Sequence, residues 1–340
     1  MTFATPTLTI VVPCYNEEAV LPETITRLLK VLEDLVLKNA IGSQSQLVFV
    51  DDGSKDKTWQ IIESTAKALP NVNGLKLSRN KGHQNAVLAG MLGSTGDILI
   101  TIDADLQDDL NAIEKMVSAY ANNADIVYGV RKARHTDTWF KRTTAESYYK
   151  LLAIFGVEII FNHADYRLMS RRAIEALRSY GEVNLFLRGI VPQLGYQTSI
   201  VYYDRSERFA GESKYPIGKM LALAWQGITS FSTTPLRMIT TLGFLISTGS
   251  FIFTLWAIAI RIFTDEAVPG WASTVVPIYL LGGIQLLCIG IIGEYLGKIY
   301  IETKKRPRYF IDIDTSTGQD EKCVDVTTES ATLGRPLKVR

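Results

Sequence analysis

The stretch DILITIDADLQDD, residues 97–109, runs a strand-like apolar segment straight into Asp103 and Asp105. If the extended backbone persists, strand alternation points both carboxylates to one side, with Gln107 at the next same-side position. Paired carboxylates at a strand end can hold a hard divalent cation such as Mg2+ or Mn2+, which in turn neutralises the phosphates of a nucleotide diphosphate. Acidic pairs also cap helices and decorate loops, so the pair takes its meaning from its neighbours.

Two further polar clusters supply that context. VVPCYNEE places Pro13, Tyr15 and Glu17 directly after a first apolar run, and VFVDDGSKDKT places Asp51 and Asp52 after a second. A rigid proline, an aromatic face and carboxylates suit the framing of a nucleoside and hydrogen bonds to its base or ribose. Taken singly, 16–18 could merely start a helix and Asp52 with Gly53 could merely make a tight turn. Three such clusters after three strands are hard to ascribe to chance. His83, in RNKGHQNA, follows Gly82 where a helix start could approach phosphates; a lone histidine there is more often structural. Arg131 directly follows the strand-like DIVYGV, at the site's edge, where it could contact an anion or simply be solvated.

The elements that must position these groups alternate from 7 to about 130. Runs LTIVV, LVFV, GLKL and DILITI are separated by helical patterns near 18–38, 57–68 and 84–93. That alternation predicts a parallel sheet in an α/β domain, with ligands bound beyond the carboxyl ends of the strands. Between 131 and 215 the pattern becomes irregular and rich in arginine and aromatics.

Two apolar runs follow, 238–260 and 273–293, each long enough at roughly 20 residues for a hydrocarbon core of about 30 Å. The connecting segment TDEAVPGWAS carries Asp265 and Glu266 but no lysine or arginine, whereas Lys298, Lys304, Lys305, Arg306 and Arg308 follow the second run. The positive-inside rule then places both large flanks in the cytoplasm. Before the first run, Ile217, Met220, Leu221, Ala224, Trp225, Ile228 and Phe231 repeat at helical spacing, which fits an ordinary core-facing helix or, favoured by its position beside a span, an amphipathic helix in the membrane interface. Arg205, Arg208 and Lys214 precede it, and with Arg167 they form a basic set suited to the phosphate of a lipid acceptor. The alternative is a basic strip that merely attracts anionic headgroups, at about 1 kcal/mol per residue.

The chain has 340 residues, 36 basic against 35 acidic and 47% hydrophobic, so its overall charge gives no reason to expect nucleic-acid binding. Cys14, Cys288 and Cys323 lack the spacing of a zinc site. The N-terminus has no basic segment before its apolar run, so no cleaved signal peptide is expected. Gly282, Gly283, Gly290, Gly293 and Gly297 would permit close helix contacts, and a homo-oligomer is one expectation.

In order and spacing, VVPCYNEE, VFVDDGSKDKT, LSRNKGHQNAVLAGM, IDADLQDD, ADYRLMSRRAIEAL and RSERFAGESKY, followed by the apolar pair, resemble family 2 glycosyltransferases of the GT-A fold. The branch is the dolichol-phosphate-mannose-synthase-like one, with its bacterial bactoprenol (polyprenyl-phosphate) glucosyltransferases. The resemblance implies a Rossmann-like, mainly parallel cytosolic domain over 1–215, an interfacial helix over 216–235, two transmembrane helices within 236–297 and a basic cytoplasmic tail over 298–340, mobile at its end. It implies nucleotide-sugar contacts at Pro13, Tyr15, Glu17, Asp52 and Asp103, and a metal held by Asp105 with Gln107. Asp103, Asp105 and Arg131 form the expected catalytic set. Many relatives carry proline in place of Asp109.

The implied reaction, at the inner membrane, is an inverting in-line transfer from a UDP-sugar to a polyprenyl phosphate, with UDP-glucose the favoured donor and O-antigen or cell-envelope glycosylation downstream. An ionised phosphate nucleophile lessens the need for a strong general base, since its second pKa is about 6. GDP-mannose and a UDP-linked aminoarabinose stay open as donors. A processive synthase is disfavoured because no QxxRW motif occurs. A non-enzymatic lipid-binding membrane protein would leave the carboxylate clusters without a purpose.

Overall fold

Strand β1 (Leu8–Cys14), LTIVVPC, is buried at all seven positions. It lies between two parallel neighbours and is covered on both faces, which is why its sequence is continuously apolar and does not alternate. The computed structural model describes residues 5–132, 163–183, 185–204, 228–229, 232–263 and 270–317. The expected acceptor residues Arg205, Arg208 and Lys214, most of the expected interfacial helix and the end of the tail lie outside these. Among the described residues, those up to 132, 163–204 and 305–317 form one compact unit, and those from 228 to 304 form another.

In the first unit the order is β1, α1 (Leu21–Leu37), β2 (Gln46–Asp51), α2 (Thr58–Ala68), β3 (Val72–Leu77), α3 (His83–Gly93), β4 (Ile98–Thr101), α4 (Ala112–Ala121) and β5 (Ile126–Arg131). Then come β6 (His163–Ser170), α5 (Arg171–Arg178), α6 (Leu187–Gln193), β7 (Thr198–Tyr203) and, after the second unit, β8 (Ile311–Asp314). The sheet order is β7-β5-β6-β4-β1-β2-β3-β8. Strands β3, β2, β1 and β4 are mutually parallel, as the alternation predicts. Beyond β4 the sheet is mixed, because β6 runs antiparallel to both β4 and β5 while β7 pairs parallel with β5. The fold is therefore α/β with a mixed sheet, and the expected mainly parallel character belongs to the half formed by β3, β2, β1 and β4.

Each helix forms for a local reason. In α1, Leu21, Ile25, Leu28, Leu32 and Leu35 recur at helical spacing and are buried, and a proline occupies the first turn, where its missing N–H costs nothing. Helix α3 has no polar stripe: Ala86, Val87, Leu88, Ala89, Gly90 and Met91 are all buried. It lies so close to the sheet that a Cβ on Gly90 would stand 2.3 Å from Val11 Cγ1 and 2.8 Å from Val50 Cγ2. The four residues of β8, IDID, pair antiparallel with the edge strand β3. Part of the expected tail is thus sheet, in a strand too short for its alternation to be read from sequence.

The second unit contains α7 (Thr234–Phe263, 30 residues) and α8 (Trp271–Thr303, 33 residues). At about 1.5 Å per residue they reach roughly 45 and 50 Å. They contain the apolar runs 238–260 and 273–293 and expose Phe244, Phe251, Trp256, Leu286, Leu287 and Ile289. Among the described residues, one stretch, Leu281–Thr303, is long and apolar enough to cross a membrane, by length and composition.

Because the valines facing Gly90 are β-branched and buried, Gly90→Ala is expected to destabilise the first unit by about 1–3 kcal/mol. Thermal unfolding checks this, and an unchanged midpoint would contradict so close a contact between α3 and the sheet.

Candidate active site

The carboxyl ends of β1, β2 and β4 open onto one cleft of about 280 Å3, lined by Pro13, Tyr15, Glu17, Asp52, His83, Asp103 and Asp105, together with Cys14, Asn80, Gly82, Ala86 and Ala104. All three clusters read from the sequence therefore meet. The loops after β1 and β2 are stitched together: Asn16 N–H donates to Ser54 Oγ (2.9 Å), Lys55 N–H to Asn16 Oδ1 (2.8 Å) and Glu17 N–H to Thr58 Oγ1 (2.8 Å). Gly53 has φ 69°, and a Cβ there would lie 2.6 Å from the Asn80 nitrogen, so no other residue fits without strain.

Asp52 is nearly buried at the cleft wall and accepts hydrogen bonds from Lys81 N–H (2.6 Å) and Gly82 N–H (2.9 Å). Burial raises its pKa, and these two bonds partly offset the rise. Besides facing a ligand, Asp52 thus fixes the turn that starts α3. Tyr15 presents an aromatic surface that is 43% exposed.

The extended backbone does not persist beyond β4. Leu106 is left-handed, with φ 55°, and Gln107 N–H turns back to Asp105 Oδ1 at 3.2 Å. Asp103 and Asp105 still line the cleft, but Gln107 is buried and is not among the lining residues, because the turn at Leu106 breaks the alternation that would have aligned it. Thr24 Oγ1 donates to the Ala104 carbonyl at 2.8 Å and anchors the loop to α1.

Asp103 is a perturbed carboxylate. Burial pushes its pKa up to about 6, with Asp165, Asp108 and Asp105 adding repulsion and His83 opposing them. His83 Nε2 stands 3.4 Å from Asp103 Oδ1 and 3.8 Å from Asp165 Oδ2. Asp165, quoted in the sequence only as part of ADYRLMS, arrives through strand pairing. Thr101 at the end of β4 is in register with Arg167 of antiparallel β6, so Asp165 sits level with the chain just beyond β4. Burial would raise the Asp165 pKa, but Arg188 and Arg167 outweigh it and hold the carboxyl well below the usual carboxylate range.

Arg167 is placed differently from its expected acceptor role. It is 1% exposed, and its guanidinium donates to Asp165 Oδ1 (2.9 Å) and reaches the Leu187 carbonyl at 3.5 Å. A side chain on a central strand of a covered sheet cannot present itself to a lipid phosphate; it braces Asp165 instead. Arg188 on α6 grips the same carboxylate with Nε and Nη2, at 3.2 and 3.1 Å. Arg131 likewise faces inward, 3.3 Å from Asp108 Oδ1 and donating through Nε to Tyr203 Oη at 3.1 Å. Tyr203 Oη in turn donates to Asp108 Oδ1 at 2.6 Å. Asp108, Asp165, Arg188 and Tyr203 are site residues that sequence reasoning missed. Asp108 and Asp165 lie in segments already singled out, whereas Arg188 and Tyr203 fall in the irregular stretch between 131 and 215 and carry no specific signal in sequence.

Among the described residues, no group of three His, Cys, Asp or Glu side chains is close enough to hold a metal by itself. Asp103 and Asp105, in a crowded acidic cleft, fit a hard cation that takes its remaining ligands from water and substrate phosphates.

The family model described as glycosyl transferase family 2 matches residues 9–178. The chain is 50% identical to the uncharacterized glycosyltransferase YkoT of Bacillus subtilis over 91% of this chain and 92% of that one. It is 42% identical to the bactoprenol glucosyl transferase of Shigella phage SfX over 89% of this chain and 98% of that one. Among solved structures, the mannosyltransferase PcManGT of Pyrobaculum calidifontis, in complex with GDP-Man and Mn2+, aligns over 87% of this chain and 88% of that one. Its 16% identity and TM-score of 0.43 are too low to carry weight for donor or metal.

The raised pKa of Asp103 makes stability pH-dependent. Ionisation of a carboxyl whose folded pKa is raised costs the folded state nothing below about pH 4, costs progressively more as pH rises to about 6, and costs it in full above that. Asp103→Asn is therefore expected to raise the thermal midpoint of the ligand-free protein at pH 8 and to leave it unchanged at pH 4, a contrast that unfolding scans at the two pH values measure.

Proposed function

We propose, starting from the fact that this chain belongs to glycosyl transferase family 2, that it transfers a sugar from a nucleotide diphosphate to a polyprenyl phosphate at the cytoplasmic face of a membrane. The observation that carries the reading is the convergence of Tyr15, Asp52 and the Asp103 and Asp105 pair, from three strand ends, on one cleft. UDP-glucose is the favoured donor. In support stand relatives named bactoprenol glucosyl transferases, 41–42% identical over 97–98% of their own lengths.

In this reading Tyr15, Pro13 and Glu17 frame the nucleoside. Asp52 holds the loop that begins α3, whose first N–H groups and His83 face the diphosphate. Asp105, with Asp103 beside it, holds a divalent cation, Mg2+ or Mn2+. Such an ion supplies charge neutralisation to the departing diphosphate. An acceptor phosphate oxygen forms the new bond to the anomeric carbon as the bond to the diphosphate breaks on the opposite face. The electron pair leaves with the nucleotide and the configuration inverts. Because the nucleophile is already ionised near neutral pH, positioning and charge balance dominate over base catalysis.

The acceptor side rests on sequence: Arg205, Arg208 and Lys214 are proposed to receive the lipid phosphate. Helices α7 and α8 are proposed to cross the bilayer as a pair, with the acidic connection outside and Lys298, Lys304, Lys305, Arg306 and Arg308 inside.

Incubation of membranes containing the protein with polyprenyl phosphate and labelled UDP-glucose, GDP-mannose or a UDP-aminoarabinose derivative, followed by lipid extraction, tests the reading. Label from UDP-glucose is expected in the lipid, and Asp105→Ala is expected to reduce it roughly 1000-fold. Near-normal turnover by that variant in a metal-dependent assay would sink the assignment of Asp105.

A further inference from the structure

The loop carrying Asp103 and Asp105 is irregular and contains a left-handed leucine, Leu106, with φ 55°. A non-glycine residue in that region costs of order 1 kcal/mol and persists only where the surroundings impose it. The imposing contacts come from the far half of the sheet. Tyr203, the last residue of edge strand β7, donates to Asp108 Oδ1 at 2.6 Å and accepts from Arg131 Nε at 3.1 Å. Tyr166 on β6 donates to the Asp109 carbonyl at 3.1 Å. The two tyrosine rings meet edge to face, with centroids 5.3 Å apart. Tyr203 is 1% exposed and does not line the cleft, so it touches neither donor nor cation.

We propose that Tyr203, through its hydroxyl bond to Asp108, is a positioning residue that sets the place of Asp105 and thereby the affinity of the site for the divalent cation and the donor diphosphate. The inference rests on the function proposed above. The Asp108 side chain is 2% exposed, so a lost donor is not replaced by bulk water. Asp108 would then recentre on Arg131, and the shift would reach Asp105, three residues away, through the strained turn at Leu106. Because the ring stays packed on Tyr166, Tyr203→Phe removes the hydroxyl and little else.

The test uses the full chain in lipid nanodiscs. Mn2+ binding in the presence of UDP is followed by electron paramagnetic resonance, donor KM and kcat by transfer from UDP-glucose, and folding by thermal unfolding. For Tyr203→Phe the half-saturating Mn2+ concentration and the donor KM are expected to rise about tenfold, with kcat at saturation falling less than about threefold and the midpoint falling by about 2–8 °C, because Asp108 keeps Arg131 but loses a buried donor. Asp108→Asn, which keeps an acceptor for the hydroxyl but loses the charge facing Arg131, is expected to raise both constants by a smaller factor, and it carries the test if the phenylalanine variant folds poorly. Unchanged Mn2+ and donor constants in both variants overturn the proposal, as does a loss of kcat that merely tracks a lowered midpoint. Wild-type protein that binds no UDP with Mn2+ overturns the proposed function, and this inference with it.

Discussion

Asp103, Asp105, Asp108 and Asp165 are near enough to one another that three of them raise the pKa of the fourth, and much of the surrounding structure keeps that repulsion tolerable. Buried carboxylates are costly unless each finds a cation or donors. Arg167 and Arg188 hold Asp165, Arg131 and Tyr203 hold Asp108, and His83 stands between Asp103 and Asp165. Asp103 has His83 opposite it and its pKa is raised, at a position where a substrate's cation would relieve it. Arg167, Arg188 and Arg131 are thereby committed to protein carboxylates, which leaves the cleft open to a cation brought with the donor.

Sheet topology makes this arrangement possible. Parallel β1, β2 and β4 deliver Tyr15, Asp52 and Asp103 to the same edge because all three strands run the same way. Antiparallel β6 delivers its beginning to that edge, so Asp165 lies near the start of its strand while Asp103 follows the end of its own. The mixed half of the sheet is thus a counter-charge support for the parallel half, and β7 adds the tyrosine hydroxyl that holds the loop between them.

The placement of Arg167 also separates two kinds of basic residue that look alike in sequence. An arginine on a covered central strand is committed to an internal carboxylate, whereas those at 205, 208 and 214 follow the last strand before the apolar helices. In the proposed function, donor chemistry lies with the strand ends and acceptor chemistry with the segment between β7 and the apolar helices. The division matches the difference between a soluble nucleotide sugar and a lipid whose phosphate stays at the headgroup level.

The sequence by itself determined the alternation of strands and helices up to Arg131, the three strand-end clusters and the apolar lengths of α7 and α8. Each is a local property, carried by side-chain periodicity or by residues within a few positions of one another. Tertiary structure alone decided that Gln107 turns away, since a single left-handed residue reverses the alternation and nothing in LQD announces it. It decided likewise that Arg167 is buried, that Asp165 meets Asp103, and that Tyr203 holds Asp108. Those outcomes depend on strand register and on neighbours 60 or more residues apart in the chain, the Tyr203 to Asp108 bond spanning 95. The carboxylate pair was therefore legible as a candidate, but the charges that make it tolerable exist only once β6 and β7 have paired into the sheet.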